Sequence, residues 1–179
     1  VMGMRQAHWR DSLAIAMLLG QLEHDIGVRK RTDKWTEVGA ANELEFYRSL
    51  MDLNKGQSFH TISAYGPNGA IIHYIPDPSS DREQVRIGNQ STYLLDSGGQ
   101  YLDGTTDITR TVHFGRPSDF QRETYTRVLM GAIDMMSLIF EQPLERSPHR
   151  LNDLLARRHL FDIGLSYEHG TGHGIGLYS

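Results

Sequence analysis

Cysteine is absent from all 179 residues, which excludes disulfide bonds, thiolate ligands and cysteine nucleophiles in this stretch. That absence fits a reducing compartment weakly, and fits equally a secreted protein that needs no bridges. No run approaches the ~18 uninterrupted apolar residues of a membrane span, and the apolar run Leu13–Leu22 is broken by Gly20 and Gln21. An excess of basic charge is lacking too. The chain has 18 Lys and Arg against 22 Asp and Glu, a net charge of −4, which argues against a general nucleic-acid binder. A charged leader with a cleavage site is missing at Val1, and the chain stops at Leu177-Tyr178-Ser179, directly after a Gly-rich, His-containing motif. Both ends are therefore expected to be cuts in a longer protein. The length suffices for one domain, or part of a larger one, with a real core.

The spacing predicts a helix over 2–26 with apolar positions favouring one side and Gly27 as its stop. A basic connection over Val28–Trp35 follows. Thr36 is the expected N-cap of a second helix over 37–53, striped by Leu44, Tyr47, Leu50 and Met51 and ended by Asn54-Lys55-Gly56. Phe59–Tyr65 reads as a strand, Gly66–Gly69 as a turn, Ala70–Ile75 as another strand, and Pro76–Asp81 as a polar excursion. After Gly115-Arg116-Pro117 the order begins again. Ser118 caps a helix over 119–141, Pro143–Pro148 breaks it, a shorter helix covers 149–159, and Glu168–Leu177 is a further strand. Helix-helix-strands thus occurs once in full over 1–115 and once truncated over 116–179. The fold class is α+β with pseudo-twofold halves.

Most chemistry per residue lies in 91–115. Thr92–Leu95 and Thr105–Phe114 are rich in β-formers, and Asp103-Gly104 suits a tight hairpin turn. Asp96 and Asp107 lie inside these strands, where an unpaired carboxylate is disfavoured, and a shared metal would compensate both. A strict two-residue turn at Asp103-Gly104 pairs Asp96 with Thr111 and leaves Asp107 on the same face, roughly 13 Å along the strand at about 3.3 Å per residue. Pairing centred nearer Tyr101-Leu102 puts the two acids directly opposite, with Gly98-Gly99 as the bulge or bend. The alternative makes Asp96 a turn residue and has Asp107 bond local hydroxyls.

His169-Gly-Thr-Gly-His173-Gly-Ile-Gly holds two histidines at i, i+4. Its glycines disfavour a helix, and an extended strand would set both rings on one face. The other reading is a Gly-rich turn with incidental histidines. His73 is expected on an apolar strand, where a lone histidine is more often a core residue. A site of two acids and a histidine favours hard or borderline ions such as Mn²⁺, Co²⁺ or Zn²⁺ over copper or iron–sulfur. A hydrolytic ion pair needs more carboxylates, and no obvious ones follow Glu168.

Gly66-Pro-Asn-Gly-Ala-Ile-Ile-His73-Tyr, Leu95-Asp96-Ser-Gly, Asp103-Gly-Thr-Thr-Asp107-Ile-Thr-Arg-Thr and the His169–Gly176 motif together resemble the Xaa-Pro aminopeptidases of the pita-bread metallopeptidases. The wording is closest to the eukaryotic three-domain type. The resemblance runs from Met4-Arg5-Gln6-Ala7-His8 onward and implies one incomplete catalytic domain. It implies two divalent metal ions, Mn²⁺ first and Zn²⁺ or Co²⁺ next, held by Asp96, Asp107 and His173. His73 and His169 resemble the histidines that position substrate and stabilise the transition state. The family's two glutamate ligands, one of them the general base, have no counterpart here, so this chain alone is expected to be inactive. The implied activity is removal of the first residue from peptides with proline second, in a cytoplasmic protein whose parent forms a homodimer, with mitochondrial and secreted or membrane-anchored forms of the family as the alternatives. Rival readings are a prolidase that cuts X-Pro dipeptides, and a pita-bread binding module without catalysis. The retained Asp96, Asp107 and His173 argue against the last.

Overall fold

In a computed structural model of the chain, residues 1–77, 85–139 and 148–176 are described. They cluster into two units, Val1–Arg116 joined by the residues from Gly174 onward, and Pro117–His173. Among the described residues no helix is long and apolar enough to cross a membrane.

The first unit sets helices against antiparallel strands. Helix α1 (Met2–Leu22) buries Ala7, Asp11, Ala14, Ile15, Leu18 and Leu22 on one stripe, the spacing of a single inward face. It does not stop at Gly27. A π-helical turn carries it through Glu23–Val28, and the left-handed residue that ends it is Lys30, at φ 58°. Helix α2 (Glu37–Ser49) starts as expected, with Gly39 N–H donating to the Thr36 hydroxyl at 3.0 Å. Its end comes earlier than 53, because Leu53 turns left-handed at φ 66° and the chain enters strand β1 (Asn54–Gln57). That strand has no alternating apolar pattern, so Asn54-Lys55-Gly56 reads as a helix stop. Strand β2 (Ile62–Tyr65) is shorter than expected, and a 3₁₀ turn (Gly66–Ala70) follows it. No strand forms over Ala70–Ile75; residues 71–73 turn instead.

The central hairpin comprises β3 (Tyr93–Ser97), β4 (Gly99–Tyr101), β5 (Gly104–Thr105) and β6 (Ile108–Val112). One register runs its whole length, from Tyr93 opposite Val112 to Tyr101 opposite Gly104. The turn is therefore Leu102-Asp103, one residue earlier than Asp103-Gly104. Helix α1 explains the shift. A Cβ on Gly104 would lie 2.9 Å from Met4 Cα, so this glycine must sit in the strand under the helix, and Asp103 reaches an ion pair with Arg10. The hairpin's tip joins a sheet ordered β1-β4-β5 and its base a sheet ordered β2-β3-β6.

Burial along β3 alternates, with Tyr93, Leu95 and Ser97 inward. Tyr93 and Leu95 pack with Leu18, Leu22, Ile26 and Leu44 of the helical layer. The opposite face carries Leu94 and Asp96. At the edge of the core, buried Asp25 accepts from Lys34 Nζ at 2.5 Å and Trp35 Nε1 at 3.0 Å. The Lys34 bond first, then the Trp35 bond, hold its carboxyl below the usual carboxylate range. A carboxyl depressed in the fold stabilises above its unfolded pKa of about 3.9 and loses that contribution as pH falls through the folded value. Thermal midpoints should therefore fall below about pH 4, and Asp25→Asn should flatten that limb. An identical acid limb in the variant would contradict the assignment.

The second unit pairs α3 (Asp119–Ser137) with α4 (Pro148–Phe161). Ser118 caps α3 as expected, in a reciprocal box in which its hydroxyl accepts from Gln121 N–H and Gln121 Oε1 accepts from Ser118 N–H. His159 Nε2 lies 2.7 Å from Asp134 Oδ2, tying the helices together. The expected break over Pro143–Pro148 falls outside the described residues apart from Pro148, which begins α4. The expected strand over Glu168–Leu177 does not form in the described part, 168–176. A strand needs a ladder partner, and no described segment pairs with this one.

Candidate active site

Asp96 lies on β3 opposite Thr109 of β6. Asp107 is two residues before Thr109, so the ladder's two-residue period puts both carboxylates on one face, a diagonal step apart. Diagonal neighbours lie about 7–8 Å apart, between the two spacings open to the sequence. Both residues are half-buried, and Asp96 Oδ1 is sealed from solvent.

Gly98, at the joint between the two sheets, is opposite Asp107 in the same register. A Cβ there would lie 2.0 Å from the Thr106 carbonyl and 2.2 Å from Ser58 Oγ. Only glycine lets the strands close at this point. Ser58 Oγ donates to the Thr106 carbonyl at 2.8 Å, and Gly99 N–H to Thr106 Oγ1 at 2.8 Å. The backbone before Asp107 is thus pinned at Thr106, and after it Ile108 pairs with Ser97.

Beneath this face lies a charged network that local sequence pattern alone did not single out. Arg48 on α2 and Asp11 on α1 are both fully buried. Arg48 Nε and Nη2 donate to the two Asp11 oxygens at 2.7 and 2.9 Å, and Nη2 also to Ser97 Oγ at 3.0 Å. Tyr101 OH donates to Asp11 Oδ1 at 3.0 Å. Burial first, and then the Asp11 charge, push the Tyr101 phenol up. Ser97 is the residue after Asp96, so the network fixes the strand that presents the carboxylate. A signal for it did exist: Asp11 interrupts the apolar stripe of α1, and Arg48 follows Ala40 and Leu44 on that of α2.

His73 is not on a strand. It is exposed, on a turn, at φ 54°. The neighbouring Tyr74 explains this, because its hydroxyl donates to buried Glu37 Oε2 at 2.6 Å. The same carboxylate accepts from Tyr65 N–H at 2.6 Å and from Asn68 Nδ2 at 3.0 and 3.1 Å. A buried charge needs such donors, and gathering them folds 66–74 back on itself. Burial and then Glu37 raise the Tyr74 phenol.

His169 and His173 lie on exposed, irregular chain in and at the end of the second unit. His169 Nδ1 lies 2.7 Å from the Gly170 carbonyl, and a carbonyl only accepts, so Nδ1 carries the proton of this contact. The ring stacks on Tyr167 at 4.5 Å and 18°. Thr171 donates to Asp153 of α4, and this bond first, then Arg157, holds the Asp153 carboxyl below its usual range. Among the described residues no three His, Asp or Glu side chains gather to hold an ion. The two aspartates form a partial set of hard oxygen donors that fits a divalent cation.

The helix-backed antiparallel hairpin with two aspartates on its outer face, followed by a second helix pair, has the pita-bread fold. The chain belongs to metallopeptidase family M24, whose sequence profile matches residues 2–179. A probable Xaa-Pro aminopeptidase P of Aspergillus flavus is 48% identical over 98% of this chain, which covers 26% of that protein. The chain spans about a quarter of the length of such relatives. An X-prolyl aminopeptidase of Caenorhabditis elegans, described as a cytosolic enzyme with a di-nuclear active site, superposes at TM-score 0.87 and 37% identity. The match covers 99% of this chain and 28% of that one. A Xaa-Pro dipeptidase of Bacillus anthracis superposes at 0.76 and 29% identity, over 97% of this chain and 44% of that one.

Proposed function

We propose that the full-length protein is a dinuclear metalloaminopeptidase that removes the first residue from peptides with proline second. The observation that carries this reading is the placement of Asp96 and Asp107 on one sheet face in a chain of the M24 family. Asp96, Asp107 and His173 are the metal ligands in this reading. Its ions are Mn²⁺, with Zn²⁺ and Co²⁺ as alternatives. When bound, two such ions polarise the scissile carbonyl and lower the pKa of water.

The chain's own residues orient and stabilise. The pinned strands on either side of Gly98 fix the direction of the two carboxylates, so their charge is preorganised. His169 has Nδ1 engaged with Gly170, so Nε2 accepts in the neutral ring and donates to a developing oxyanion in the imidazolium. His73, held out on its turn by the Tyr74–Glu37 bond, is free to meet substrate. Glutamate ligands and a general base come from the remainder of the full-length protein, so residues 1–179 alone turn over no substrate. The peptidase domain divides into halves at 115/116, and the whole protein is a cytoplasmic homodimer.

The test is a panel of X-Pro-Pro tripeptides and X-Pro dipeptides given to the full-length protein with Mn²⁺. Release of the first residue from tripeptides, with dipeptides turned over poorly, is expected. Preference for dipeptides would make it a prolidase, and no turnover of either would favour a binding module.

A further inference from the structure

Two residues of α4, Asp153 and Arg157, one helical turn apart, grip the segment that carries His169. Arg157 Nε donates to Asp153 Oδ1 at 2.8 Å, and its side chain is only 14% exposed. From that anchor the guanidinium spreads over the segment. Its centre lies 3.9 Å from the centroid of the Tyr167 ring. Nη2 donates to the His169 carbonyl at 2.9 Å, and Nη1 to Ser166 Oγ at 3.3 Å and to the Tyr167 carbonyl. On its other side Tyr167 bonds Thr171 Oγ1 at 2.9 Å, and Thr171 returns to Asp153. The circuit Asp153–Arg157–Tyr167–Thr171–Asp153 closes around residue 169, and the Tyr167 and His169 rings stack at 4.5 Å.

We propose that Arg157 is a positioning residue for His169, holding its ring through the Tyr167 stack and its backbone through the carbonyl. The proposal rests on the reading of His169 as a group that faces substrate. Two of the guanidinium's engagements converge on that one residue, and among the described residues the segment has no ladder partner. Only arginine fits. A planar cation both stacks on an aromatic ring and donates in several directions, whereas a lysine ammonium is a compact point charge that cannot replace the plate. The glycines flanking Thr171 and His173 leave the backbone with broad freedom, so without the circuit the ring would sample many directions.

Arg157→Lys tests this, because it keeps the charge beside Asp153 and loses the plate. Tyr167→Leu is the second variant; it removes the stack and leaves the Arg157–Asp153 pair intact. In aromatic NMR spectra of the full-length protein, the His169 ring protons should sit upfield in the wild type. They should move toward random-coil positions in either variant. In kinetics with an X-Pro-Pro peptide, kcat should fall about 10²-fold, the cost of a displacement near 1 Å, with KM little changed. In a His169→Ala background neither variant should lower kcat further. Unmoved His169 resonances, or losses that add to that of His169→Ala, would overturn the proposal. Should His169→Ala itself leave kcat intact while the resonances still move, the catalytic reading of His169 fails and the anchoring stands.

Discussion

Asp107→Asn is expected to abolish X-Pro hydrolysis by the full-length protein while leaving it folded. The amide keeps the shape of the side chain and removes the negative charge that paired cations require. Its position tolerates the change structurally, because the strands around it are held by bonds among Ser58, Gly99 and Thr106. Charge stabilisation of several kcal/mol is at stake, which at about 1.4 kcal/mol per tenfold is a loss on the order of 10³-fold or more. Release of the first residue from an X-Pro-Pro peptide reads the activity, and elemental analysis reads the metal. Activity near wild type with full metal content would remove Asp107 from the site.

The second large effect is on stability. Arg48→Met is expected to destabilise by about 3–5 kcal/mol, the cost of leaving one partner of a buried ion pair alone. Among the described residues, Asp11 would keep only the Tyr101 hydroxyl as a donor, inside a core where both charged groups are fully buried. Ser97 would lose the bond from Nη2, loosening the strand next to Asp96. The double change Asp11→Leu with Arg48→Met should recover most of the loss, since a buried pair replaced as a whole is often near neutral. Urea unfolding of the wild type and these two variants measures both effects. A loss under about 1 kcal/mol in the single variant would show that water reaches Asp11.

Where sequence and structure agree, the cause is local. Thr36 and Ser118 cap because a hydroxyl at that position finds an orphan N–H three residues on, whatever the rest of the chain does. The shared face of Asp96 and Asp107 follows from strand parity and survives any even shift of register. The register itself was not legible, because the turn was chosen by distant contacts: Gly104 under α1 and Asp103 at Arg10. Ile71-Ile72-His73-Tyr74 has a strand's composition and makes a turn, since Tyr74 answers a buried carboxylate 37 residues away in sequence. His169 and His173 could not be placed on one face by a two-residue period, because the period needs a ladder and the described residues supply none.

Anomalous diffraction from crystals of the full-length protein grown with Mn²⁺ tests the central claim most directly. The account predicts two peaks, each within roughly 2.0–2.6 Å of a carboxylate oxygen of Asp96 or Asp107, with His173 bound to one of them. Peaks elsewhere, with Asp96 and Asp107 touching only protein, would contradict it.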